Sequence, residues 1–142
     1  MLETKFWSNV LRHEFKKRGH CDRIESHATS PGRPDVNICL SASVSIDIEL
    51  KSTDAKDAIR KLFVRPSQKV WMKDRAAAGG RCFILARVDW PGVPLHEPTY
   101  MLIPGDRAMF LPKGSIGGWM DMADIVWHGP IDFDQLFDHM AR

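Results

Sequence analysis

The clearest chemical potential in this chain lies in two carboxylates and one lysine, Asp35, Glu49 and Lys51. They border or belong to two segments, 36–40 and 44–50, in which apolar and polar residues alternate with a period of two. This alternation predicts two half-buried strands, and the three residues between them predict a tight hairpin. The register that pairs every apolar residue with another places Asp35 opposite Glu49 on the polar face, with Cβ atoms roughly 5 Å apart.

Facing carboxylates repel each other, so this arrangement calls for a compensating cation. Lys51 projects from the same face as Glu49 and supplies one positive charge, and a divalent metal would supply the rest. Oxygen ligands with open positions suit Mg²⁺ or Mn²⁺, because zinc would require histidine or cysteine. Magnesium held by one or two carboxylates is typical of phosphoryl chemistry, and the expected substrate is a phosphate ester.

The surrounding segments predict helices and strands in alternation. Residues 2–18 have helical periodicity, and their inward stripe includes Glu14, which either reaches solvent at the stripe's edge or pairs with something inside. The other elements predicted before the C-terminal third are a short strand at 21–25, helices at 56–63 and 66–78, and strands at 82–86 and 100–103. Asp132 begins a terminal helix. Mixed helices and strands without an internal repeat indicate an α/β or α+β fold.

The chain is 142 residues long, which favours one domain over 1–142. Three cysteines without a CxxC pair fit a reducing compartment, and the absence of a long apolar run or signal-peptide pattern predicts a cytoplasmic protein without a membrane partner. The first 87 residues carry 17 lysines and arginines against 10 acids, whereas the remainder carries 3 against 8. A polyanion would therefore meet the first half, although solvated helix faces explain many of these charges equally well.

Pro34-Asp35 followed by Glu49-Leu50-Lys51 resembles the PD-(D/E)XK nuclease superfamily. The flanking segments 23–25, 32–36, 66–71 and 79–81 look like the small phage and VRR-NUC-type members, which include Holliday-junction resolvases. The likeness covers a core at 6–103 and leaves a C-terminal extension, 104–142. It implies a restriction-endonuclease-like αβββαβ core, in which helices flank a central mixed sheet.

The resemblance also implies roles for individual residues. Asp35, Glu49 and the main-chain carbonyl of Leu50 would bind Mg²⁺ or Mn²⁺, while Lys51 would position the attacking water and neutralise charge on the phosphate. Glu14 would be a secondary metal ligand, with Glu25 as the alternative. Gln68 would contact the site or serve only as an ordinary amide at a helix start. Residues flanking the centre would contact DNA phosphates: Arg33, Lys56, Arg60, Arg65 and Lys69.

These expectations describe a metal-dependent DNA endonuclease that leaves 5′-phosphate and 3′-hydroxyl ends. Branched DNA, as cut by a junction resolvase, is the preferred substrate, and symmetric cutting of two strands would require a homodimer. Bacterial or phage DNA processing is the corresponding setting. The alternative is a non-catalytic DNA-binding or phage structural module that keeps the nuclease fold.

Overall fold

A computed structural model describes residues 1–24 and 31–142 of the chain. The protein is an α/β structure built on one six-stranded mixed sheet with helices on both faces. The strands are β1 (Gly19–Arg23), β2 (Val36–Leu40), β3 (Val44–Asp54), β4 (Arg81–Asp89), β5 (Thr99–Pro104) and β6 (Ile125–His128). They lie side by side in chain order, with β3 and β4 parallel and all other neighbours antiparallel.

The helices divide into an N-terminal run and several shorter elements. Residues 3–18 form one continuous helix, made of α1 (Glu3–Lys5), a π-helical stretch (Phe6–Leu11) and α2 (Arg12–Arg18). The others are α3 (Ala58–Lys61), α4 (Pro66–Ala77), a 3₁₀ helix (Gly105–Phe110), α5 (Ile116–Met122) and α6 (Phe133–Ala141). The order along the chain through β4 is therefore a helix, three strands, helical segments and a strand.

The predicted hairpin register is confirmed. Its three apolar pairs are Leu40 with Val44, Ile38 with Ile46, and Val36 with Ile48. The connection is a short 3₁₀ turn, Ser41–Ser43, in which Ser43 has the positive φ of 64° that commonly ends a three-residue hairpin loop. The fixed spacing of side chains along the two strands thus decides what lies at the open end of the hairpin.

Two hydrophobic cores cover the two faces of the sheet. The N-terminal helix and α6 pack on one face, where Ile46, Ile48 and Leu50 point, and this face carries the first core. The other face carries the second core, which includes Leu62, Met72 of α4 and Trp119 of α5. Because β3 is covered on both sides, its polar residues on the second face are removed from water.

The C-terminal residues 104–142 complete the sheet and both cores. β6 adds the strand beside β5, and the apolar stripe of α6 joins the first core. The predicted cap of this helix is confirmed, since the Asp132 side chain accepts a hydrogen bond from the Gln135 backbone N–H. Sequence reasoning missed β6 and α5, whose short apolar segments give weak periodic signals.

Several predicted boundaries shift by a few residues. The first strand begins at Gly19 instead of 21, and the helix expected at 56–63 spans only Ala58–Lys61. The alternative acid Glu25 lies outside the described residues. No helix in the described part of the chain is long and apolar enough to cross a membrane.

Candidate active site

Asp35 and Glu49 meet at the open end of the hairpin, as the register requires. One step beyond the pair Val36 and Ile48, the Asp35 carboxylate accepts a hydrogen bond of 3.0 Å from the Leu50 backbone N–H. Asp35 is half-buried, whereas Glu49 is only 2% exposed. The polypeptide therefore holds two carboxylates together where water can solvate only one of them well.

The Glu49 carboxylate has one bonded oxygen and one free oxygen. Oε2 accepts a hydrogen bond of 2.6 Å from Gln68 Nε2, and Lys51 Nζ lies 3.3 Å from it. Oε1 is buried and has no hydrogen-bond partner among the described residues. Burial, followed by the charge of Asp35, raises the pKa of Glu49 from its ordinary 4.5 to about 8. Without a further cation this carboxyl group therefore holds its proton at neutral pH, and a bound cation would favour its ionised form.

Lys51 and Gln68 close the cluster on the second face of the sheet. Lys51 is 6% exposed, and its ammonium donates a 3.0 Å hydrogen bond to Gln68 Oε1. The Gln68 amide therefore contacts both charged partners, donating to Glu49 and accepting from Lys51. This fixes the orientation of the carboxylate and the ammonium relative to each other.

Gln68 reaches the cluster because of where α4 begins. Pro66 starts the helix, and Gln68 Oε1 also accepts a 3.0 Å hydrogen bond from the Arg65 backbone N–H. The residue is thus both a helix-start amide and part of the site. Gly32, with φ of 84°, lies so close to Ser67 that a Cβ atom there would collide with the Ser67 carbonyl oxygen. This close approach sets the Gly32 turn, three residues before Asp35, against the start of α4.

The structure does not bring Glu14 to this cluster. Its carboxylate lies 3.4 Å from Lys17 Nζ and 3.5 Å from Arg18 Nη2, and Arg18 also pairs with Asp134 of α6. These partners belong to the helices on the first face of the sheet, whereas Glu49 is on the second. Lys17 and Arg18 of the same helix balance the charge of Glu14, and Asp134 of α6 shares Arg18 with it.

Glu3 is the acid that the N-terminal helix contributes instead. The helix starts at the end of β3, where the Ser52 hydroxyl donates a 2.6 Å hydrogen bond to the Met1 carbonyl oxygen. Burial raises the pKa of Glu3, Lys51 acts in the opposite direction and Asp35 raises it further, which places this carboxyl in the field of the cluster. Eleven residues of helix separate Glu3 from Glu14, a distance of roughly 16 Å.

An open cleft of about 390 Å³ adjoins Lys51. The start of the N-terminal helix forms one wall and the segment 60–65 forms another, with Lys51 and Ser52 between them. Its basic residues are Lys51, Arg60, Lys61 and Arg65. The cleft reaches the cluster at Lys51, whose ammonium lies 3.3 Å from Glu49 Oε2, and its basic residues would attract an anionic substrate.

The structure places only some of the residues predicted to contact DNA in the cleft. Arg60 and Arg65 line the cleft and are exposed. Lys56 is exposed but outside the cleft lining, and Lys69 and Arg33 are half-buried. Lys61, another basic residue of this region, also lines the cleft, and Glu3 was missed because only the placement of the helix start beside β3 reveals it.

The carboxylate pair fits the ligand requirement of magnesium. Within residues 1–24 and 31–142, no group of three or more His, Cys, Asp and Glu side chains is arranged to hold a metal ion. Magnesium in phosphoryl-transfer sites, however, uses one or two carboxylates and takes its other ligands from water and substrate. Asp35 and the unpartnered Oε1 of Glu49 supply that donor set. Bound Mg²⁺ would also relieve the repulsion between them.

Comparison with protein-family models and with curated protein sequences finds no match for this chain. The resemblance to the PD-(D/E)XK superfamily therefore rests on the sequence motifs alone.

A matched pair of substitutions separates the two acids of the N-terminal helix. If DNA cleavage occurs at this centre, Glu3→Gln should slow it by about 10-fold or more, because the carboxyl lies in the field of Asp35 and Lys51. Glu14→Gln should leave the rate within about twofold of wild type, since it disturbs only surface ion pairs. Single-turnover cleavage measures both, and a larger effect from Glu14 would reverse the assignment.

The raised pKa of Glu49 predicts a pH dependence of stability in metal-free protein. The folded state holds this proton more tightly than the unfolded chain, so stability should fall as the pH rises from 4.5 towards about 8. Glu49→Gln cannot ionise and should remove that part of the decline. Urea unfolding in EDTA across this pH range measures the free energy of unfolding of both proteins. An equal decline with pH in wild type and Glu49→Gln would contradict this explanation.

Proposed function

We propose that this protein is a metal-dependent endodeoxyribonuclease of PD-(D/E)XK type that hydrolyses phosphodiester bonds in DNA. The observation that carries the proposal is the buried Glu49 carboxylate, which has an unpartnered oxygen and lies with Asp35, Lys51 and Gln68 beside a basic cleft. The chain order of a helix, three strands, helical segments and a strand agrees with the αβββαβ core of that superfamily.

Each residue of the cluster has a role that follows from its contacts. When bound, Mg²⁺ or Mn²⁺ supplies Lewis-acid activation of the phosphodiester and of the attacking water. Asp35 and Glu49, together with the Leu50 carbonyl, would hold the ion. Lys51 stabilises the negative charge that develops on the phosphate, because its ammonium is already fixed in a water-poor site by Gln68. Gln68 also prevents the Glu49 carboxylate from rotating.

DNA is the proposed substrate and branched DNA the preferred form, with a homodimer for symmetric cutting of two strands. The basic cleft and the placement of the acidic helix α6 on the opposite face of the sheet support an anionic polymer on the cluster side. Such an enzyme would act in the cytoplasm of a bacterial or phage-infected cell.

A substrate panel tests the proposed activity. The purified protein is titrated with Mg²⁺ or Mn²⁺ and given a four-way junction, a flap, single-stranded DNA and plain duplex. The proposal predicts metal-dependent cleavage that leaves 5′-phosphate ends and is fastest on one of the non-duplex forms. DNA binding without cleavage of any substrate would favour the non-catalytic alternative.

Salt dependence tests which surface meets DNA. Replacing Lys56, Arg60 and Arg65 with alanine should weaken binding of all sequences alike and make the slope of log affinity against log salt shallower by up to about one per lost phosphate contact. The matched control replaces Asp132, Asp134 and Asp138 of the α6 region with asparagine, which should leave that slope nearly unchanged. A larger change from the aspartate variant would place DNA on the opposite face.

A further inference from the structure

Phe63 is an aromatic residue outside both hydrophobic cores of the described chain. Its neighbours Leu62 and Val64 are 0% and 5% exposed and belong to the second core. Phe63 is half-buried and lines the cleft together with Lys51. Part of the ring is therefore accessible to whatever enters the cleft.

Two lysine ammonium groups lie over the Phe63 ring. Lys51 Nζ lies 5.8 Å from the ring centroid and Lys113 Nζ lies 5.2 Å from it. Lys113 is held there by its neighbour Gly114, whose N–H donates a 2.7 Å hydrogen bond to the Leu62 carbonyl oxygen. Gly114 has φ of 77°, and a Cβ atom there would lie 2.6 Å from the Ile59 Cα atom. Residues from two distant parts of the chain thus place cations around one aromatic ring.

An aromatic ring beside a basic groove is the combination by which proteins bind single-stranded nucleic acid. Bases stack on the ring while lysine and arginine contact the backbone phosphates. A base inside a duplex is already stacked on its neighbours and cannot offer its face to a side chain. The cleft therefore suits a nucleotide that is not paired.

We infer that the cleft binds one unpaired nucleotide of a DNA strand, with the base against Phe63 and the adjoining phosphates on the cleft residues Arg60, Lys61 and Arg65. This inference rests on the proposed nuclease function and narrows its substrate to DNA with an unpaired nucleotide beside the cleaved bond. Because Lys51 lies next to both the ring and Glu49, the stacked nucleotide adjoins the phosphate that is cut.

Binding of a fluorescent probe tests the stacking. The probe is an oligonucleotide that contains 2-aminopurine, offered as a single strand or within a duplex to metal-free protein. Wild type should quench the fluorescence of the single-stranded probe and bind it at least about fivefold more tightly than Phe63→Leu does, because the base loses its aromatic stacking partner in that variant. Phe63→Leu keeps most of the volume but has no aromatic face. Phe63→Trp should restore binding, and duplex affinity should be unchanged in both variants.

The control substitution is Phe110→Leu, at a phenylalanine that is 72% exposed and absent from the cleft lining. It should bind both probes as wild type does. Equal single-strand binding by wild type and Phe63→Leu would overturn the inference, as would an equal loss for single strand and duplex. Failure of the nuclease proposal can be distinguished from failure of this inference. In that case wild type would cleave no DNA in Mg²⁺ or Mn²⁺, regardless of the effect of Phe63→Leu on binding.

Discussion

Lys51→Ala should slow single-turnover DNA cleavage by on the order of 100-fold or more while changing DNA affinity little. The ammonium is buried, bonded to Gln68 and 3.3 Å from Glu49, so it is preorganised for charge that appears only in the transition state. Its removal therefore affects the barrier more than ground-state binding. Gel-shift titration and single-turnover kinetics on the same substrate measure the two quantities.

The matched control for this prediction is Lys61→Ala. Lys61 lines the same cleft, but its ammonium is exposed and pairs with Asp57 at 3.5 Å. This variant should lose some affinity with an almost unchanged cleavage rate at saturating DNA. If Lys51→Ala lost affinity and rate in equal measure, Lys51 would be an ordinary phosphate contact.

Metal binding should stabilise the wild-type protein and have no such effect on the double variant Asp35→Asn, Glu49→Gln. A ligand present at 100 times its Kd contributes about 2.7 kcal/mol, which corresponds to a rise in Tm of about 5–10 °C for a domain of this size. The rise follows because the ion relieves two carboxylates that repel each other and gives the free Oε1 of Glu49 a partner. Thermal unfolding with Mg²⁺ or Mn²⁺ and with EDTA measures it.

A control for nonspecific binding uses Asp132→Asn, Asp134→Asn, which removes two exposed acids distant from the cluster. This variant should keep the full metal-induced rise in Tm. Equal rises in wild type and in the Asp35, Glu49 variant would remove these residues from the set of metal ligands.

The hairpin and its carboxylate pair were predictable because side-chain period and loop length leave few registers open. With Val36 opposite Ile48, the next step outward can only bring Asp35 beside Glu49. Gln68 was expected at the site only from the resemblance, and the helix start at Pro66 is what places it there. These features are local in sequence or are fixed by one short turn.

Glu14 was expected beside the cluster but pairs with Lys17 and Arg18 instead, because helical periodicity gives the face of a residue but not the position of the helix along the sheet. Glu3 lies about three turns nearer the cluster, and its placement depends on where the N-terminal helix meets β3. Lys113 is 50 residues from Phe63 in the chain, and the contact of its neighbour Gly114 with Leu62 had no signal in the sequence. Long-range placements of this kind depend on packing.

The most direct test of the central claim is metal-dependent cleavage by wild type and Glu49→Gln on one DNA substrate from the panel. The substitution keeps the shape of a side chain that is almost fully buried, and circular dichroism establishes that the fold is retained. We predict that wild type cleaves in Mg²⁺ or Mn²⁺ and that Glu49→Gln loses at least about 100-fold in rate while still binding DNA. Equal cleavage by both proteins, or cleavage by wild type in EDTA, would contradict the assignment of this cluster as the active site.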